Sequence, residues 1–399
     1  MPTSASVKSV PRYVLPAIVL AQFACTSLWF AGNAVLQEVV AQLHLATDSL
    51  RHVTSAVQLG FILGTLVFAV FTIPDRFSPS KVFAICAVLG AGCNLLILGA
   101  GGMASLVLSR FLTGFCMAGI YPVGMKIASD YHQKGLGKAL GFLVGALVLG
   151  TSFPHLLKAL TEGLPWRYVI WATSGLALLG GLALWGLVPD GPFRRRSTRP
   201  EFRVFFQIFA QKDFRAAAFG YFGHMWELYT FWAFVPVMLT SYAAAHAGAG
   251  LSVPLWSFRV IAVGALACVA GGYLSEAVGS AKTAFGALLL SGLCCLVSPW
   301  LFSLSPPWFL GVLFFWGMAV VADSPQFSTL VAAAAEPSTK GTALTMVNSI
   351  GFALTIVSIQ FLSFISGYLP AQNQYLVLAF GPLVGLWSMR RLLRAETRN

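Results

Sequence analysis

The sequence predicts an all-α polytopic membrane protein, with twelve transmembrane helices in two pseudo-symmetric six-helix bundles. Three observations predict it. Only 10% of the 399 residues are charged and 57% are hydrophobic, whereas soluble domains average about 25% charged residues. Twelve apolar runs each reach the ~20 residues that a helix needs to cross the hydrocarbon core. Several local patterns recur at nearly one offset, the sign of an internal repeat.

The runs are 13–37, 50–73, 80–101, 104–130, 136–159, 166–188, 214–242, 252–275, 281–303, 307–335, 340–366 and 372–391, taken below as helices 1 to 12. Helices 3 and 4 are divided only by Gly101–Met103. The first run has no convincing cleavage site before it and is read as a retained span. Nineteen Lys and Arg lie in the loops and tails of one side, against Arg51, Lys158 and Arg167 on the other. That asymmetry places both termini in the cytoplasm, as an even number of spans requires. It also accounts for the net charge of +12 without nucleic acid. Pro189–Asp213 is the one long connection. The expected domains are therefore an N-terminal bundle at 1–188, a cytoplasmic linker at 189–213 and a C-terminal bundle at 214–399.

Asp75 and Lys81 after helix 2 match Glu276 and Lys282 after helix 8, 201 positions on. Gly137-Lys138-Ala139-Leu140 matches Gly341-Thr342-Ala343-Leu344 at 204, and Pro122 matches Pro325 at 203. The seven cysteines (25, 86, 93, 116, 268, 294, 295) fall in apolar segments with no metal or disulfide spacing. There is no P-loop and no nucleophile–base set in a soluble domain, so neither ATP nor enzyme chemistry is expected.

Twelve helices in 6+6 with a basic central linker and an acidic–basic turn after helices 2 and 8 resemble the major facilitator superfamily. The turn Pro74-Asp75-Arg76-Phe77-Ser78-Pro79-Ser80-Lys81 is similar to that family's G-x-x-x-D-R-x-G-R-R loop, with Phe71 and Ser78 in place of the glycines. Arg110-Phe111-Leu112-Thr113-Gly114 resembles its R-x-x-Q-G element in helix 4, with Thr113 in place of Gln, and Trp166-Arg167 opens helix 6 as in many members. The resemblance implies alternating access by two halves, with helices 1, 4, 7 and 10 lining a central cavity. It implies a cytoplasmic gate of Asp75, Arg76, Lys81, Asp130, Glu276 and Lys282, in which Asp130 engages the basic residue of the helix 2–3 loop. The antiporter element G-x-x-x-G-P is absent from helix 5, where Gly145 and Gly150 precede Thr151-Ser152-Phe153-Pro154. This favours uptake or small-solute exchange over drug efflux.

Two acids sit in mid-membrane runs, Glu227 and Asp323. A charge at the bilayer centre costs about 2.5–3.5 kcal/mol even on mild scales, so each needs a partner, a proton or a substrate. Glu227 lies about 13 residues into helix 7, near mid-bilayer at 1.5 Å per residue. His224, one turn away, is a candidate relay for it. Arg259 in helix 8 is a candidate counter-ion for either acid or for an anionic substrate, and Arg110 joins the same coupling set. Lys126 is about 160° around helix 4 from Arg110 and pairs locally with Asp130 at i, i+4.

Candidate substrate-binding residues are Gln22, Trp29 and Asn33 on one stripe of helix 1, Gln58 on helix 2, Tyr121 on helix 4, Trp316 and Gln326 on helix 10, and Asn348 on helix 11. The same polar stripes also suit helix–helix packing. Pro325 removes a backbone donor and predicts a kink beside Asp323. The expected activity is secondary active transport of a small-molecule solute, coupled to protons. An uncoupled facilitator and a drug or metabolite efflux antiporter remain alternatives. Membrane lipid is the other expected partner; nucleic acid, metal and cofactor are not expected, and the expected unit is a monomer.

Overall fold

The computed structural model describes residues 11–46, 49–131, 136–194, 209–246, 250–335 and 340–396. Among them, eleven helices are long and apolar enough to cross a membrane, and Val14–Thr26 is a shorter apolar helix. We label Val14–Thr26 α1 and the others α2 (Ser49–Val70), α3 (Pro79–Gly99), α4 (Met103–Tyr131), α5 (Lys138–Leu160), α6 (Arg167–Leu187), α7 (Lys212–Ala245), α8 (Val253–Val278), α9 (Ser280–Leu301), α10 (Pro306–Ala334), α11 (Ala343–Ile365) and α12 (Gln374–Arg394). Large apolar side chains such as Leu20, Leu179, Leu266 and Trp387 stay exposed on the perimeter, as a lipid-facing surface requires. Most of the 189–213 linker lies outside the described residues.

Packing repeats between the halves. α1 lies on α5 and α6 as α7 lies on α11 and α12; α2 pairs with α4 as α8 pairs with α10; α3 contacts α4 and α6 as α9 contacts α10 and α12. The halves meet along α2–α11 and α5–α8. One detail makes the repeat quantitative. A Cβ on Gly114 would overlap the Val57 carbonyl where α4 crosses α2, and a Cβ on Gly317 would overlap the Val260 carbonyl where α10 crosses α8. Both members of the second pair stand 203 positions after the first, the offset that also relates Pro122 to Pro325. Small residues let the backbones touch at both crossings.

Three spans are broken. α4 turns at Ala118–Ile120 ahead of Pro122, and α10 turns at Asp323 ahead of Pro325. In each case the proline lacks the N–H that would continue the ladder. The Val321 carbonyl freed in α10 is met by the Cys268 thiol at 3.4 Å. The third break, Ser27–Phe30 after α1, leads into the short helices Ala31–Ala34 and Leu36–Leu43 and contains no proline.

Candidate functional site

The centre of the molecule is closed by aromatic rings from both halves. Trp29 of the α1 break, Phe61 of α2, Tyr229 of α7 and Phe352 of α11 pack at tilted angles with centroids 4.4 to 5.5 Å apart. Toward the termini, only about 10 Å³ of free space remains among Tyr121, Val144, Tyr221 and Ser324, the room of a single water. Toward the opposite face a cavity of about 300 Å³ opens, with Asn33, His155 and Trp232 in its wall.

The two membrane acids do not face this centre. The α7 residues around the central space are Tyr221, Met225, Leu228, Tyr229 and Trp232. His224 and Glu227 lie on another face of α7, which turns them into the C-terminal bundle. Glu227 accepts three hydrogen bonds from neutral donors: Trp316 Nε1 to Oε1 at 2.7 Å, Cys295 Sγ to Oε1 at 3.2 Å and Ser291 Oγ to Oε2 at 2.9 Å. All four residues are buried. His224 Nδ1 stands 2.8 Å from Asp323 Oδ1, with both side chains at most 1% exposed. His224 Nε2 and Asp323 Oδ2 have no hydrogen-bond partner among the described residues. α7, α9 and α10 thus enclose a polar seam that contains both carboxylates.

This differs from the expected arrangement at three residues. His224 pairs with Asp323 rather than relaying to Glu227. Trp316 holds the Glu227 carboxylate instead of lining the substrate space, and its ring packs at a tilt against Phe231, with centroids 4.7 Å apart. Arg259 reaches neither acid: its side chain is exposed and its guanidinium lies over the Trp256 ring at 4.7 Å. Depth along α8 placed Arg259 in the membrane, but its rotation about the helix turns it outward.

In the N-terminal half, Arg110 is fully buried. It donates to the Leu28 carbonyl at 3.1 Å, to Asn94 Oδ1 at 3.3 Å and to the Trp29 carbonyl. Its side chain passes against Gly32. Those two carbonyls lie in the α1 break, so the guanidinium replaces the helical donors that the break removes. Gln22 and Gln58 are buried with both side-chain polar atoms unpartnered among the described residues. Gln22 lies against Gly124 of α4. Gln326 faces Gly271 of α8, and Asn348 is half-buried on α11.

At the termini face, the cation of the gate comes from α4 itself. Lys126 Nζ lies 3.0 Å from Asp75 and 3.4 Å from Asp130. Arg76, Lys81, Glu276 and Lys282 are exposed, so the expected engagement of Asp130 by the loop's basic residue is replaced by a shared lysine. Arg194, beyond α6, binds the Asp190 carboxylate at 2.6 Å and the Phe77 carbonyl at 2.6 Å. Sequence reasoning missed Ser291, Cys295, Asn94, Arg194 and His155 as site residues. Only His155 carried a signal, as an imidazole directly after Pro154 inside a span.

The Major Facilitator Superfamily family model matches residues 18–359. The chain belongs to the major facilitator superfamily. The uncharacterized transporter YgaY of Escherichia coli O157:H7 is 28% identical over 293 residues, covering 69% of this chain and 71% of that protein. The efflux pump FUBT of Fusarium oxysporum is 28% identical over 166 residues, 40% of this chain and 28% of the pump. Among solved structures, the human organic anion transporter MFSD10 superposes with a TM-score of 0.74 at 16% identity, over 96% of this chain and 100% of that chain. A bacterial homolog of the human lysosomal transporter Spinster, in an inward-facing and occupied conformation, gives a TM-score of 0.69 at 16% identity, over 96% and 95% of the two chains. At these identities the structural likeness speaks for the fold. As a superfamily member the protein is a multi-pass membrane transporter.

Proposed function

We propose that the protein moves a small solute by alternating access of residues 1–188 against 214–399, coupled to protons, with its termini in the cytoplasm. The observation that carries the coupling is the buried seam of α7, α9 and α10. A carboxylate at that depth that is held by neutral donors, rather than by a cation, changes its own charge when it takes up a proton. Glu227 is in that position, with Trp316, Ser291 and Cys295 as its donors. The Asp323–His224 pair lies in the same bundle and shares α10 with Ser324, which lines the central space. Protonation in the seam and rearrangement at the centre are therefore linked through the α10 break. One proton falling through 100 mV supplies about 2.3 kcal/mol, which sustains a gradient of roughly 50-fold.

Reconstituted Glu227→Gln tests this, with a solute found by thermal-shift screening of the purified protein. The expected result is loss of pH-driven accumulation with counterflow retained. Normal accumulation would remove Glu227 from the coupling step. A second reading rests on the same three donors: a fully satisfied carboxylate also serves as a fixed anchor in an uncoupled facilitator. In that case an imposed pH gradient drives no accumulation even in the parent protein.

A further inference from the structure

The cavity on the face opposite the termini lies between the short helices that follow α1, the start of α2, α5 and α7. Leu36, Leu50, Pro236 and Val237 supply much of its wall, and no Asp, Glu, Lys or Arg lines it among the described residues. Among the described residues, three buried polar atoms of this wall have no hydrogen-bond partner: Asn33 Oδ1, His155 Nε2 and Trp232 Nε1. His155 and Trp232 are 3% and 0% exposed. Buried polar groups are costly to leave unpaired, and three in one wall call for a ligand that completes them.

The hydrogen-bond chemistry narrows that ligand. Thr54 Oγ1 donates to the Leu50 carbonyl at 2.8 Å, so towards Asn33 its oxygen can only accept. Asn33 Nδ2 fills that role at 2.7 Å, which leaves Oδ1 as the unpaired acceptor of this wall residue. The indole of Trp232 is a donor only, and His155 Nε2 takes either role with its tautomer. A hydroxyl or carboxamide both donates and accepts, and so can pair with this set. An ionised group would meet no fixed charge among the described lining residues, and the nearby Lys158 and Glu38 neutralise each other as an ion pair. The cavity volume of about 300 Å³ is at the small end of ligand sites.

We propose that this cavity binds a small uncharged organic solute, an apolar body bearing a hydroxyl or carboxamide, and that His155 sets its specificity. Trp232 lines both this cavity and the closed central space, so a bound solute waits one indole away from the aromatic closure. The inference rests on the transport reading for its purpose; its binding chemistry stands without proton coupling.

The test is photolabelling of the full chain in nanodiscs by an uncharged aryl-diazirine alcohol, with the matched carboxylate and ammonium as comparators, mapped by mass spectrometry. The alcohol is expected to label segments containing Asn33, His155 and Trp232–Val237. His155→Leu is expected to cut that labelling about tenfold, the scale of one lost hydrogen bond, and His155→Gln to restore most of it. Val237→Phe fills the space without touching a polar atom and is expected to abolish labelling. Circular dichroism and gel filtration confirm that each variant is folded. Equal labelling by the charged probes, labelling confined to lipid-facing positions, or parent-level labelling of both His155→Leu and Val237→Phe would overturn the proposal. Glu227→Gln is expected to label as the parent does, so failure here and failure of proton coupling are separate outcomes.

Discussion

α1 and α7 hold equivalent places in the two halves, yet they are built in opposite ways. α1 ends after 13 residues and breaks, whereas α7 runs unbroken for 34. Glu227 and His224 of α7 correspond, 203 positions earlier, to Ala24 and Ala21 of α1. Arg110 of α4 corresponds to Leu313 of α10. Each half therefore puts its interior charge where the other is apolar. The shared scaffold survives in the Gly114 and Gly317 crossings and in Trp29 and Trp232, which stand at the same offset. The polar interiors have diverged: one supports an interrupted backbone, and the other holds groups that can change charge.

That contrast can be broken most severely at Arg110. Arg110→Leu leaves the Leu28 and Trp29 carbonyls unpaired, at about 1–3 kcal/mol each, so a total loss on the order of 4 kcal/mol is expected. Thermal unfolding in detergent would show it, with Arg110→Lys recovering only part. A smaller effect at Arg110 than at surface sites would mean that the break is held by other groups. Next in size are Gly114→Ala and Gly317→Ala, each expected to destabilise by about 1–3 kcal/mol through overpacking. Equal losses sharpen the view of a common scaffold; unequal ones show that the two crossings have drifted.

Glu227→Gln should alter flux far more than stability. The amide oxygen still accepts from Trp316, so thermal stability is expected to stay within about 1 kcal/mol of the parent while pH-driven accumulation is lost. A large stability loss would make the C-terminal seam structural, like its N-terminal counterpart. The smallest effect is expected at the gate. Asp75→Asn removes a pair whose side chains are 21% and 27% exposed, so less than about 1 kcal/mol is at stake. Its effect should appear in thiol-labelling of introduced cysteines at the termini face.

Much of the scaffold was legible because its causes are local. Apolar length marked the spans, Pro325 marked the break in α10, and repeated patterns, the Pro122–Pro325 match among them, marked the duplication. The α1 break was not legible, since Ser27–Phe30 has no helix-breaking residue and the cause arrives from Arg110 more than 80 positions away. Glu227 could be picked out as a costly charge, but its donors lie 64, 68 and 89 positions off, beyond any periodicity. Arg259 shows the converse: helical depth can be counted from sequence, but which neighbour a side chain meets depends on how the helix is rotated in the bundle. His155 offered one sign in the sequence, an imidazole directly after Pro154 inside a span, but its unpaired nitrogen in a cavity wall is visible only in the folded chain.

The arginine-held break also bears on how the chain enters the membrane. α1 is shorter than the ~20 residues of an ordinary span, and in hydrocarbon every bare carbonyl costs several kcal/mol. During synthesis the first span emerges well before the residue that completes its backbone. A nascent chain that ends before α4 thus holds an unfinished helix at the lipid boundary. The backbone of the first span is completed only by a side chain of the fourth, so the N-terminal half is finished as a unit rather than span by span.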